Sequence, residues 1–335
     1  MTKNPVLFKT SEPKWSKAFS RFRWIISSSI EQGKQYGFGV GWYGLLWWLG
    51  VYSRMLKISV LSIKPLTKGI DSYFESKYGD IISKYKNNGL QYINKQQELK
   101  EDYPIWTFWW QGEKNMPPIV SACYTYIKTN NKNVFLLTKD NIHKYVNLPE
   151  GIYEKVEKGE ISYTHLSDIL RLTLLAEKGG MWIDTTCFNP YTIPQYAKDQ
   201  IFYSPHDRQK QQRMKGKYAY WCDSGGWRSW NIGTSINHNP LFMFCRDMII
   251  KLAVNEKCFP NYFMVDCLIC YAYRKFKWVT ELIDSMPNFN TKCSDLFLLC
   301  FNTNKIYNEE YYKKLIENDW IFKLTYKTVW LKEVD

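Results

Sequence analysis

The chain reads as an α/β protein, with a mostly parallel sheet and flanking helices over residues 101–335 and a helical region over residues 1–100. Three observations predict this. Short apolar or aromatic runs of strand length alternate with longer runs of helical period from about Tyr103 onward. Proline and glycine punctuate those runs where helices should begin and end. Charge divides the chain, because residues 1–68 hold eleven Lys and Arg against two acids, a net +9 out of +13 for the whole. Alternating strand and helix argues for a parallel sheet, since parallel neighbours need a crossover and a helix usually supplies it.

In the N-terminal region the stretch QYGFGVGWYGLLWWLGVYS, residues 35–53, has no charged residue. Its length approaches the roughly 20 residues that span a bilayer. Both flanks are basic, and five glycines and several aromatics dilute its apolar character. A segment lying in the headgroup region, with aromatics inserted and lysines on anionic lipid, accounts for both features. A membrane span and a helical hairpin packed on the protein are the alternatives. Residues 69–100 carry helical periodicity through Ile70, Tyr73, Phe74, Tyr78, Ile81, Ile82 and Tyr85, then turn polar, as a helical arm leading to the main domain would.

The main domain opens with IWTFWW (residues 105–110), an aromatic strand. PPIVSACYTYIKTN begins with prolines suited to a helix start. NVFLLT (133–138) is a strand, HLSDILRLTLLAEKGG a helix stopped by glycine, and MWID a strand again. IFYS (201–204) and NIGTSI (231–236) read as further strands; NPLFMFCRDMIIKL and NYFMVDCLICYAYRKF read as helices.

Nine cysteines without regular spacing do not form a disulfide framework, which points to a reducing compartment. Cys267 and Cys270 make a CxxC, but within an apolar helical stretch and without a second pair they read as buried small hydrophobes rather than a zinc half-site. The polar N-terminus lacks the pattern of a secretory signal.

Ligands of open α/β sheets collect at the carboxyl ends of strands, and Asp184 stands at such an end in GGMWIDTTCFNP. On the preceding helix Asp168 and Arg171 are three residues apart and share a face. An Asp-Arg pair on a helix is usually a surface ion pair of little worth. Here it comes linked to a Gly-Gly stop, a strand and a strand-end acid sixteen residues after the first.

That run, SDILRLTLLAEKGGMWIDTT, resembles the donor-binding core of bacterial capsular polysaccharide synthesis glycosyltransferases, relatives of glycosyltransferase family 32. The resemblance extends through PIWTFWWQGEKNMPPIVSACYTYIK, NHNPLFMFCRDMI, YFMVDCLICYAY and the terminal IFKLTYK, over about residues 103–330. It implies an A-type glycosyltransferase fold, Rossmann-like, and transfer of a sugar from a nucleotide-diphosphate donor, a UDP-sugar first of all. The acceptor it implies is a growing, lipid-linked capsular or surface polysaccharide at the cytoplasmic face of the cell membrane.

By the same resemblance Trp109 stacks on the nucleotide base, with Trp110 as its neighbour. Asp168 contacts the ribose or base side, and Arg171 reaches the donor sugar or phosphate. Asp184 matches the first acid of an Asp-x-Asp motif, in which a divalent cation, manganese or magnesium, is held beside the diphosphate. The second acid is replaced by Thr186, so the cation should be held weakly, or by ligands elsewhere, or be partly replaced by cationic side chains. Lys323 and Lys327 of IFKLTYK, and the loop cations Arg208, Lys210, Arg213, Lys215 and Lys217, are candidates for that replacement. Asp223, in a Gly- and Trp-rich segment, and Asp266, a lone acid in an apolar helix, are candidate catalytic bases for the acceptor hydroxyl.

The basic N-terminal 68 residues are expected to meet an anionic membrane surface. A nucleic-acid partner is not expected, because the charge bunches around an uncharged aromatic stretch and no nucleic-acid motif is present. The alternative to an enzyme is a non-catalytic glycan- or lipid-binding subunit in which Thr186 marks a decayed donor site.

Overall fold

A computed structural model describes residues 15–42, 44–46, 64–87, 102–207, 227–257, 259–293 and 319–326, with positions 89, 93, 99, 313, 314, 316 and 317. Asp223, Lys327, the loop cations from Arg208 to Lys217, and residues 47–53 of the aromatic stretch lie outside the described residues.

The described chain is α/β, with helices on a four-stranded, mostly parallel sheet, an arrangement consistent with a Rossmann-like A-type glycosyltransferase fold. The strands β1 (Ile105–Phe108), β2 (Val134–Leu137), β3 (Gly180–Ile183) and β5 (Asn231–Thr234) lie in the order β2-β1-β3-β5. β1 pairs in parallel with both β2 and β3, and β5 closes the edge antiparallel to β3. A second, two-stranded sheet joins β4 (Cys187–Phe188) to β6 (Phe322–Lys323).

The two central strands, IWTF and GMWI, are buried at every position, as strands covered on both faces must be. Helices α4 (Pro118–Asn130) and α6 (Tyr163–Glu177) link the strands. α6 is buried from Asp168 to Ala176 and packs against α8 (Pro240–Asn255), with α9 (Met264–Lys275) beside both. IFYS does not become a strand. Tyr203 alone makes an antiparallel bridge to Gly233, and Pro205, which has no N–H to donate, follows two residues later.

Between α6 and β3 the chain reverses over Gly179 and Gly180, both with positive φ (67° and 86°). The N–H groups of Lys178 and Gly179 close on the Leu174 carbonyl and end the helix. A Cβ at Gly180 would stand 2.2 Å from the Pro104 carbonyl oxygen, so strand β3 can lie beside β1 only if this residue has no side chain.

Residues 64–86 do not project as an arm. Helices α2 (Lys64–Lys77) and α3 (Gly79–Lys86) pack on α8 and α9. Arg274 pairs with Asp71 at 2.7 Å, the Tyr85 hydroxyl donates to Asp247 at 2.6 Å, and the Trp278 indole donates to the Tyr85 carbonyl at 3.0 Å. Glu256, just past α8, accepts from the hydroxyls of Tyr73 and Tyr78 and from the amide of Gln35, which tethers the end of α1 (Trp15–Tyr36) to the same place. Beyond α1 the chain is helical again over 38–42 and 44–46 and folds back. Gly41 approaches Gly33 so closely that a Cβ there would be 2.5 Å from the Gly33 Cα. The described part of the aromatic stretch is therefore one arm of a helical hairpin. Among the described residues no helix is long and apolar enough to cross a membrane.

Gly180→Ala should destabilise the protein far more than Gly159→Ala in urea unfolding. Both glycines have positive φ, but nothing lies within 4 Å of a Cβ at Gly159. The control should lose only the conformational cost of about 1–3 kcal/mol; equal losses would contradict the close-approach role of Gly180.

Candidate active site

The carboxyl ends of β1 and β3 and the face of α6 above them enclose a cleft of about 520 Å³. The sheet ladder continues past each strand and fixes its walls. The Trp109 N–H donates to the Leu137 carbonyl and the Lys139 N–H to the Trp110 carbonyl, each at 3.0 Å. The Asp184 N–H donates to the Trp230 carbonyl at 2.9 Å, so its backbone is still part of the β3–β5 pairing. From α6, Tyr163, Ser167 and Arg171 recur every four residues and line the cleft as one face of the helix. Tyr262, Lys323 and Tyr326 complete the wall.

At the floor one carboxylate gathers three donors. Asp184 Oδ1 accepts from Arg171 Nη2 at 3.0 Å and from the Trp182 indole at 2.9 Å, and Oδ2 accepts from Lys323 Nζ at 2.5 Å. Lys323 also donates to the Thr186 hydroxyl at 2.8 Å. The Arg171 guanidinium lies over the Trp182 ring, 5.0 Å from its centre. Burial alone would raise the Asp184 pKa, but the charges of Lys323 and Arg171 outweigh it and hold the carboxyl below its ordinary value.

Lys323 reaches this point from the far end of the chain because β6 is locked in place. It pairs with Cys187 across the small sheet, its N–H donates to the Cys293 carbonyl, and the next residue, Leu324, donates to the Thr186 carbonyl, both at 2.9 Å.

Asp168 and Asp266 stand behind this floor and do not line the cleft. Asp168 holds Arg171 Nη1 at 3.1 Å. Burial pushes its pKa to about 7, against the pull of Arg171 and with the push of Asp266 and Asp184. Its carboxylate aims the arginine. Asp266 accepts from the Trp227 indole at 3.0 Å and the Ser229 hydroxyl at 3.2 Å, and burial raises it to about 6. Those bonds anchor the chain just before β5.

Trp109 and Tyr326 meet edge to face at the rim, 5.6 Å between ring centres, while Trp110 stacks on Tyr163 at 5.0 Å. Arg171, Asp184, Thr186, Trp109 and Lys323, all candidates from the sequence, thus lie around one cleft. Trp182, Tyr163 and Tyr326 had no place in the predicted site. Trp182 was within reach, because residues i and i+2 of a strand share a face and Trp182 stands two before Asp184.

The donor set does not suit a divalent cation. Among the described residues no group of three or more His, Cys, Asp or Glu is close enough to hold one. Each Asp184 oxygen already faces a donor, and the ammonium of Lys323 occupies the position between Asp184 and Thr186. The CxxC cysteines lie on α9, Cys270 buried and Cys267 partly so.

A family model described as capsular polysaccharide synthesis protein matches residues 60–334. The match takes in α2 and α3 as well as everything from residue 103, in keeping with their packing on α8 and α9. No curated protein matches the chain.

The raised pKa of Asp266 predicts a pH dependence. Between pH of about 4, where the unfolded carboxyl loses its proton, and about 6, where the folded one does, the folded state holds the extra proton, so stability falls as pH rises. Asp266→Asn should flatten that decline by up to about 3 kcal/mol in urea unfolding. Parallel pH profiles for the two proteins would contradict the buried, protonated state.

Proposed function

The chain belongs to the capsular polysaccharide synthesis protein family, and we propose that it is a glycosyltransferase acting on a nucleotide-diphosphate sugar. Its product would be a capsular or surface polysaccharide. The observation that carries this reading is the pairing of Arg171 and Lys323 around Asp184 on the floor of an aromatic-walled cleft at the carboxyl ends of parallel strands. Nucleotide ligands favour that location in open sheets.

Transfer breaks the bond between the sugar's anomeric carbon and the diphosphate oxygen and forms one from that carbon to an acceptor hydroxyl oxygen. The hydroxyl proton leaves to a base, and the nucleoside diphosphate departs with the bond's electron pair. Negative charge therefore grows on the diphosphate as the sugar acquires oxocarbenium character. Cations held in place by protein partners stabilise that charge without having to reorganise. Arg171 and Lys323 are so fixed: the first by Asp168, Asp184 and the Trp182 ring, the second by Asp184 and Thr186. Trp109 and Tyr326 at the rim offer the apolar faces a nucleotide base would use.

Asp184→Asn should lower release of nucleoside diphosphate from the correct nucleotide-sugar by about 10²–10³-fold, the scale of losing one positioned charge at a transition state, because the variant no longer holds Arg171 and Lys323 in place. Equal release by the variant and the unaltered protein would favour the non-catalytic binding subunit, which the engagement of both Asp184 oxygens within the protein also suits.

We further propose that the N-terminal hairpin rests on an anionic membrane at its cytoplasmic face, where a lipid-linked acceptor would be presented. Phe22, Trp24, Ile26, Ile30, Phe38 and Trp42 are exposed on α1 and the helical segment after it, in the part of the chain that carries the excess positive charge. Apolar insertion and attraction to anionic lipid add in such a surface. Since α2 packs on α9, the test is substitution of the exposed rings and not deletion of residues 1–68. Trp24→Ser, Phe38→Ser and Trp42→Ser together should abolish co-sedimentation with phosphatidylserine vesicles while the melting temperature holds; unchanged sedimentation would refute this attachment.

A further inference from the structure

We propose that the donor diphosphate is bound without a divalent metal, the Lys323 ammonium standing where the metal would otherwise be. The inference rests on the donor-site reading above and specifies which charge meets the diphosphate.

Position comes first. Lys323 Nζ lies 2.5 Å from Asp184 Oδ2 and 2.8 Å from Thr186 Oγ1, bridging the two side chains of the Asp-x-Thr sequence. An ammonium has three protons to donate, and these oxygens take two. The third remains for an oxygen of a ligand in the cleft, which Lys323 lines.

Charge balance points the same way. Two carboxylates at positions 184 and 186 would call for a cation of charge two, whereas Asp184 with Thr186 is neutralised by one ammonium. Thr186 is thus the matched partner of a lysine, a neutral oxygen that accepts one of its protons without adding charge. With Arg171 on the other Asp184 oxygen and on Asp168, two cations face two acids, and burial disfavours the charge of Asp168, which leaves the cations the stronger pull on a polyanion. Asp184 holds the Lys323 amine above its ordinary pKa even though burial opposes the charge.

Rigidity completes the case. A lysine on a loose tail could move aside for a metal. Lys323 sits in the β4–β6 pairing, with its own N–H on Cys293 and the next N–H on Thr186, so the backbone that carries it is fixed on both sides. A metal entering between Asp184 and Thr186 would have to expel an ammonium from that frame.

The test is calorimetric binding of UDP, GDP, CDP, ADP and inorganic pyrophosphate to the full chain, in EDTA and in manganese. At least one nucleoside diphosphate should bind equally well in both buffers. Lys323→Met should weaken that binding in EDTA by about 10- to 100-fold, the scale of a hydrogen bond to a charged group. Lys323→Arg should retain most of it. Lys323→Met with Thr186→Asp should bind only when manganese is present. Thermal melts establish that each variant is folded, and the comparison of buffers on the unaltered protein needs no variant. Binding that requires manganese, or a folded Lys323→Met that binds as tightly in EDTA, overturns the proposal and leaves the donor site standing. No binding of any nucleoside diphosphate in either buffer overturns both.

Discussion

The site depends on one constraint: a single carboxylate, Asp184, must hold two cations that arrive from distant parts of the chain. Arg171 comes from the helix before its strand, and Lys323 from β6, 139 residues further on. The surrounding architecture can be read as what this requires. Gly179 and Gly180 let α6 fold back so that Arg171 overlies the end of β3. The β3–β5 ladder continues to the Asp184 amide and fixes the carboxylate's root. The small β4–β6 sheet brings Lys323 across. Because both cations are positioned by buried backbone, their field is in place before a ligand arrives, which is the condition for electrostatic stabilisation to accelerate a reaction.

Behind the cleft, burial of two further acids maintains the arrangement. Asp168 and Asp266 sit in surroundings that disfavour their charged forms, and each is retained by specific partners: Arg171 for the first, Trp227 and Ser229 for the second. Buried acids cost stability unless paired. Asp168 keeps Arg171 aimed, and Asp266 holds the segment that leads into β5. The three acids Asp168, Asp184 and Asp266 thus differ in state and in task although one arginine influences all of them.

Much of the frame was legible in the sequence, because its signals are local. Strand-length runs gave β1, β2, β3 and β5, proline marked the start of α4, and Gly-Gly marked the end of α6. The linked run from Asp168 to Thr186 gave the floor of the site. What escaped was set by tertiary pairing. The apolar pattern of IFYS could not show that only Tyr203 would find a partner. Periodicity over 69–86 marked helices but not that their tyrosines would bond to Glu256 and Asp247 across the chain. Asp266 stands out in sequence as a lone acid in an apolar helix, but that pattern does not show that Trp227 and Ser229 would bond to it. Lys323 was a candidate cation in the sequence, but its bond to the Thr186 hydroxyl depends on the β4–β6 pairing, which no local pattern shows.

The measurement that bears most directly on this account is a crystal structure of the full chain with a nucleoside diphosphate, grown in EDTA. The account predicts the diphosphate in the cleft, with an oxygen within hydrogen-bond distance of Lys323 Nζ, and Lys323 still bonded to Asp184 and Thr186. A diphosphate bound elsewhere, or in this cleft with Lys323 turned away and making no contact, would contradict it.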